Sequence, residues 1–359
     1  METQNLQKWD KMTIDNNLRL RGYAMSRKLV KQNFRGMAAL VTALMLVVPG
    51  AAMAQSAAGA QAPVLIIGHR GAAGLAPENT LAAFKRACEI GVDAVELDVL
   101  VSADGEMVVH HDFKLKPEIA RSADGAWIAA GSQPAVKDLT LAQLKTYDIG
   151  RLQPKTSYAA RFPEQVPVDG ERIPTFKETI DLFKKSCSPS TRLFVEIKTS
   201  PEEPELALPP EAVSDRVVKM VRDEGIAERT WILSFDWRNL VHIQKTAPEL
   251  ATVYLTIVGP GLNNLKPNQP GASPWMAGLD IDDFNGSAPR AVKASGGRVW
   301  SPFYKNLTPE TLAEARQLGL LVSVWTPDSP DDLKKLIEMK VDAITTNRPD
   351  VLKRLLDGR

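Results

Sequence analysis

The chain is short of the residues that staple or clamp small proteins, with two cysteines, Cys88 and Cys187, and four histidines among 359 residues. So few cysteines exclude a disulfide-stapled miniprotein, and their spacing fits no zinc motif. An excess of one charge is also missing, since 44 Lys+Arg stand against 43 Asp+Glu for a formal net charge of +1. A nucleic-acid binder needs a basic surface to displace counterions from phosphates, so this balance points to a small-molecule partner. With 44% hydrophobic residues and only 23 Gly and 25 Pro, the composition is neither collagen-like nor that of a disordered tail. No protein partner is inferable from it.

A run long enough to cross a membrane is lacking near the amino terminus, where 37–48 gives 12 uncharged, mostly apolar residues. As a helix this run would span about 18 Å against roughly 30 Å of hydrocarbon, which argues against a stable membrane anchor. Arg27, Lys28, Lys31 and Arg35 precede it, and Pro49-Gly50 and Ala52-Met53-Ala54 follow, ahead of Gln55. This is the layout of a secretory signal peptide. Residues 1–54 are therefore expected to be an N-terminal extension and leader, with Met25 a candidate true start and cleavage after Ala54. The expected mature domain, 55–359, would be periplasmic or secreted, and it holds 36 basic and 40 acidic residues, net −4. In an oxidising compartment Cys88 and Cys187 can pair, although Cys88 lies in a helical pattern where a buried free thiol is the plainer reading. Both readings stay open.

Short β-branched runs recur at 64–68, 94–100, 192–198, 230–234, 251–257, 298–301, 321–325 and 343–346. Helical patterns at 80–90, 175–186, 211–223, 237–247, 308–318, 329–339 and 349–355 alternate with them, with Asn79 before the first and Gly91 after it. Eight such alternations predict an α/β protein, a (β/α)8 TIM barrel, over a doubly wound open sheet. Two stretches break the rhythm. Residues 114–172 read as an insertion after the second strand with one short helix at 141–147, and 258–290 is rich in Pro, Gly and Asn. Loops of that length are usually functional.

Candidate chemistry gathers at strand ends. His69, His110 and His111 lie close in sequence to Glu96 and Asp98, whereas His242 sits alone on a helical pattern and reads as structural. Glu96 and Asp98 are two apart in a strand and point to one face, as do Glu196 and Lys198. Taken separately, the first pair could be an exposed edge and the second an internal ion pair. In a barrel, however, all would meet with His69 and Arg70 at the carboxyl-terminal mouth. Three carboxylates there form a hard oxygen site suited to Mg2+ or Ca2+, and Arg70 and Lys198 beside it suit an anion such as a phosphate ester. Paired imidazoles supply acid and base near neutral pH. The run Gly68 to Gly74 lacks G-x-G-x-x-G spacing and reads as a tight turn rather than a dinucleotide loop.

Gly68-His69-Arg70-Gly71, Pro77-Glu78-Asn79-Thr80, Glu96-Leu97-Asp98, His110-His111-Asp112, Glu196-Ile197-Lys198, Trp325-Thr326 and Thr346-Asn347-Arg348-Pro349 closely resemble the glycerophosphodiester phosphodiesterases, over nearly the whole mature chain. The long insertion and leader are similar to the periplasmic branch of that family. The resemblance implies hydrolysis of deacylated phospholipids to sn-glycerol 3-phosphate and an alcohol, with one divalent cation on Glu96, Asp98 and Glu196. It implies His69 and His111 as catalytic residues and His110 as a neighbour facing away. Arg70, Lys198 and Trp325 are the implied substrate contacts. Ca2+ is favoured over Mg2+ because an exported site avoids competition from cytosolic Mg2+. Asn347 stands where the family usually has Asp, a departure expected to touch no group that meets the substrate. Glu78 is expected to act mainly on a helix dipole. The competing readings are a phospholipase or sphingomyelinase D-type enzyme on the same barrel and a noncatalytic phosphoglycerol-binding protein.

Overall fold

A computed structural model describes residues 64–358; the expected leader, the cleavage point after Ala54 and the candidate start at Met25 lie outside them. Among the described residues nine strands occur in chain order: β1 (Leu65–Gly68), β2 (Ala94–Val101), β3 (Met107–Val109), β4 (Arg192–Ile197), β5 (Thr230–Ser234), β6 (Ala251–Thr256), β7 (Val299–Pro302), β8 (Leu321–Trp325) and β9 (Ala343–Thr346). Eight of them run parallel in the order β1-β2-β4-β5-β6-β7-β8-β9, and pairing of β1 with both β2 and β9 closes the ring. Closure decides for the (β/α)8 barrel over an open sheet. In β2 every residue is buried, and Val95, Leu97 and Val99 join the apolar core with Phe84, Phe176 and Ile180 of the covering helices. The alternate residues Glu96 and Asp98 are thereby turned to the barrel interior.

The ninth strand, β3, is antiparallel to β2 and at three residues too short to leave a sequence pattern. The insertion at 114–172 carries the short helix expected at 141–147, observed at Leu141–Leu144, and a second, unexpected one at Ser157–Ala160. Leu115, Ala120, Val136, Leu144, Ile149 and Ile173 form a second apolar cluster with Leu100 and Val108, so the insertion has its own small core. The other irregular stretch ends in a helix, Ala288–Ala294, capped by Ser287. Among the described residues no helix is long and apolar enough to cross a membrane.

Cys88, in the helix Leu81–Ile90, and Cys187, just past the helix Phe176–Ser186, are joined by a disulfide with their Cα atoms 4.7 Å apart. This decides the choice left open in favour of pairing over a free thiol: neighbouring helices bring together residues 99 apart in sequence. Constraining so long a loop is worth about 2–5 kcal/mol. Reduction, or Cys88→Ala with Cys187→Ala, should therefore lower the melting temperature by roughly 5–15 °C. Melting unchanged by reductant would show that the bridge contributes nothing.

Candidate active site

The turn after β1 is built for close approach. Gly71 has φ +87°, and a Cβ there would lie 2.6 Å from the Ala83 carbonyl carbon. Arg70, at φ +48°, is held in the left-handed region, and its backbone N–H donates to Glu96 Oε2 at 2.7 Å. Such a conformation costs on the order of 1 kcal/mol for a non-glycine residue and persists where neighbours over-determine it. Asp98 and Glu196 stand directly opposite each other in the parallel β2–β4 pair. Carboxylate oxygens of Glu96, Asp98 and Glu196 all lie within 4.8 Å of one another, a grouping able to hold a metal ion. All three are buried, which excludes the exposed-edge reading for Glu96 and Asp98.

The ion pair left open for Glu196 and Lys198 is present. Lys198 Nζ donates to Glu196 Oε1 at 2.6 Å and lies 3.6 Å from Asp98 Oδ1. Burial, followed by Asp98 and Glu196, pushes the Glu96 carboxyl well above the usual carboxylate range. Burial would push Asp98 up too, but His111, Lys198 and Arg70 together outweigh it and hold Asp98 low. Asp98 Oδ1 has no hydrogen-bond partner, and its Oδ2 accepts from Asn79 Nδ2 at 2.8 Å.

Asn79 was expected to start the first helix, but Thr80 caps it, accepting from the Ala83 N–H. Nor does Glu78 serve chiefly the helix dipole. Its carboxylate accepts from Arg70 Nη1 at 2.7 Å and from the Tyr158 hydroxyl. Burial alone would raise Glu78, yet Arg70 and Lys116 hold it at about 2. Tyr158 belongs to the insertion, so the insertion reaches the barrel mouth through the residue that anchors Arg70.

The two imidazoles differ in their partners. Asp328 accepts from Asn347 Nδ2 at 2.7 Å and from the Asn347 backbone N–H at 2.9 Å, which turns the amide oxygen of Asn347 towards His69 Nδ1 at 2.7 Å. A carboxylate only accepts, so Asp328 fixes the amide and the amide fixes the tautomer: His69 carries its proton on Nδ1 and leaves Nε2 bare. Nε2 lies 4.0 Å from Glu96. Asn347 therefore contacts a site histidine directly, contrary to the expectation that it touches no group that meets the substrate. His111 Nδ1 instead meets the Asp112 carboxylate at 2.5 Å, and Asp112 is also paired with Lys116 at 2.8 Å. Burial, then Arg70, lowers His69 to about 3. For His111, burial followed by Arg70 and Lys198 gives about 4. His110 is buried, and its Nε2 has no hydrogen-bond partner.

A cavity of about 200 Å3 opens at this mouth, with His69, Arg70, Glu96, His111, Glu196 and Trp325 in its wall. Asp98 and Lys198 sit behind these residues, and His110 does not line the cavity. Trp325 stands 5.3 Å from both Phe235 and Phe303, ring centre to ring centre, and gives the cavity an apolar side. Phe235 and Phe303, each just past a strand end, were legible by position but were not singled out. Tyr158 and Arg161, carried by the insertion, left no sequence signal.

A profile of the Glycerophosphoryl diester phosphodiesterase family matches residues 69–351. The chain is 30% identical over 292 residues to a glycerophosphodiester phosphodiesterase of Caldanaerobacter subterraneus subsp. tengcongensis, covering 81% of this chain and 97% of that protein. A crystal structure from Silicibacter pomeroyi, assigned to the glycerophosphoryl diester phosphodiesterases, superposes with TM-score 0.73 at 33% identity, covering 82% of this chain and 94% of that one. An Oleispira antarctica phosphodiesterase crystallised with the product sn-glycerol-3-phosphate shares the fold, with TM-score 0.59 at 22% identity over 83% of this chain and 97% of that one. A profile match across most of the chain, together with these similarities, places it: the chain is an enzyme belonging to the glycerophosphoryl diester phosphodiesterase family.

Proposed function

We propose that the cavity hydrolyses glycerophosphodiesters to sn-glycerol 3-phosphate and an alcohol, with one divalent cation held by Glu96, Asp98 and Glu196. The observation that carries this reading is that two imidazoles, His69 held by an amide oxygen and His111 by a carboxylate, open on one cavity beside a cluster of buried carboxylates. The donor set fits a hard cation, since Asp98 Oδ1 lacks a hydrogen bond and Glu96 is pushed up by burial and then by its like-charged neighbours. When bound, the cation offsets the negative charge that gathers on the phosphate oxygens in the transition state.

The chain's own residues perform the remaining steps. Arg70, anchored by Glu78, places positive charge against the phosphate, and Lys198 adds to it from behind Glu196. Trp325, with Phe235 and Phe303, packs on the carbon skeleton of the glycerol half. His69, its Nδ1 proton committed to Asn347, uses Nε2 to take a proton from the water that attacks phosphorus as the P–O bond to the alcohol breaks. His111, backed by the Asp112 carboxylate, carries the proton given to the leaving alcohol oxygen. Without substrate, burial and the neighbouring cations hold both imidazoles below the ordinary histidine value. A bound phosphate offsets Arg70 and Lys198, two of the groups that hold His111 down, and so favours its charged form.

For the ion we favour Ca2+ over Mg2+, because the leader reading places the mature protein in the periplasm or outside the cell, where Mg2+ of the cytosol does not compete. The Cys88–Cys187 bridge suits the same oxidising location. The test is release of sn-glycerol 3-phosphate from glycerophosphocholine after EDTA treatment, with Ca2+ or Mg2+ returned separately. Loss with EDTA and recovery with Ca2+ is the expected result. Cleavage of intact phospholipid alone, or binding of the diester without release, would overturn the reading, whereas recovery with Mg2+ only would overturn the choice of ion.

A further inference from the structure

One part of the cavity wall comes from the insertion rather than the barrel. Arg161, which follows the helix Ser157–Ala160, lines the cavity while remaining exposed to solvent. Its guanidinium carbon lies 5.3 Å from the Tyr158 ring centre and 5.4 Å from that of Phe162. The two rings meet edge to face, 5.4 Å apart, and hold the side chain by stacking.

Arg161 stands apart from Arg121 and Arg151 of the same insertion. Arg121 and Arg151 are both paired with Asp169, and the nearby carboxylate Glu164 is taken by Arg348 at 2.7 Å. Among the described residues Arg161 has no carboxylate partner. On the cavity floor, by contrast, Arg70 and Lys198 face Glu78, Glu196 and Asp98 at 2.7, 2.6 and 3.6 Å. The uncommitted positive charge at the cavity thus belongs to the insertion. Its placement is not arbitrary, because Tyr158 beneath it hydrogen-bonds Glu78, which in turn holds Arg70. The segment carrying Arg161 is pinned to the residue that meets the phosphate.

We propose that Arg161 selects the alcohol half of the substrate, favouring an alcohol that bears a carboxylate or another anionic group over one that bears only a cation. This rests on the hydrolase reading above and names the substrate class within it. The physical reason is charge pairing: a guanidinium already stacked on two rings loses little freedom on meeting a carboxylate, and its planar fork binds both oxygens. A cationic alcohol at the same place is repelled.

Glycerophosphoserine and glycerophosphoethanolamine separate the effect, since their alcohols differ by one carboxylate on the same aminoethyl skeleton. The wild-type protein should turn over the serine ester with kcat/KM roughly five- to tenfold higher, and added salt should shrink the ratio. Arg161→Gln should bring the ratio towards one by lowering the value for the serine ester, and Arg161→Lys should keep part of the preference. A wild-type ratio of one or below would overturn the inference. An equal loss on both esters in Arg161→Gln would also overturn it, because that marks a general phosphate contact. Release of sn-glycerol 3-phosphate from neither ester by the wild type would instead sink the hydrolase reading, and the inference with it.

Discussion

His69→Ala is expected to lower kcat by roughly 100- to 10,000-fold with the melting temperature almost unchanged, the range that positioned acid-base catalysis supplies. The small stability effect follows from the side chain's place at the mouth, with its ring partly open to the cavity and outside the apolar core. The large kinetic effect follows from the tautomer, because Asp328 orients Asn347 and Asn347 holds the His69 Nδ1 proton away from the reaction. His111→Ala should act on a similar scale by removing the group that Asp112 supports. The pH dependence distinguishes this arrangement from an ordinary surface imidazole. With His69 lowered to about 3, the base stays unprotonated well below 6.5, so the acid side of the kcat/KM profile should not fall away at an unperturbed histidine value. Full activity in either alanine variant, measured as sn-glycerol 3-phosphate release, would remove that histidine from the mechanism.

Much of this site is legible in the sequence because strand periodicity is strict. Two residues two apart in a fully buried strand share a face, and parallel closure brings β1, β2 and β4 side by side, so Glu96, Asp98, Glu196 and His69 converge without further information. What was hidden depends on side chains that reach across the fold. Asn347 meets His69 from 278 residues away, and Tyr158 meets Glu78 from 80 residues away, and no local pattern records either contact. Glu78 and Asn79 illustrate the limit from the other side. Their sequence context, just before a helix, suggests capping and dipole roles, yet the tertiary partners Arg70 and Asp98 claim both side chains. The disulfide stays an open choice in the sequence for the same reason, since pairing of Cys88 with Cys187 depends on which helices are neighbours.

Ca2+ is expected to raise the thermal stability of the wild-type protein, and Glu196→Gln should abolish that gain and weaken Ca2+ binding by about 100-fold or more, beyond the 10- to 100-fold typical of groups that only orient a ligand. The charge balance of the cavity floor explains why the effect should be large. Four buried carboxylates, Glu78, Glu96, Asp98 and Glu196, gather there with two cations, Arg70 and Lys198. A divalent ion compensates that excess, and replacing one ligand by a neutral amide removes both a donor and half of the reason to bind. In the metal-free protein the same substitution should change stability little: like-charge repulsion with Asp98 is relieved while Lys198 loses its 2.6 Å partner but keeps Asp98 at 3.6 Å. Because burial and the neighbouring carboxylates push Glu96 up, Ca2+ must displace a proton wherever Glu96 is protonated, so affinity should rise with pH through that range. Calorimetric titration of both proteins at several pH values reads out all of this without an activity assay. Wild-type affinity for Ca2+ retained in Glu196→Gln would dissolve the three-carboxylate site.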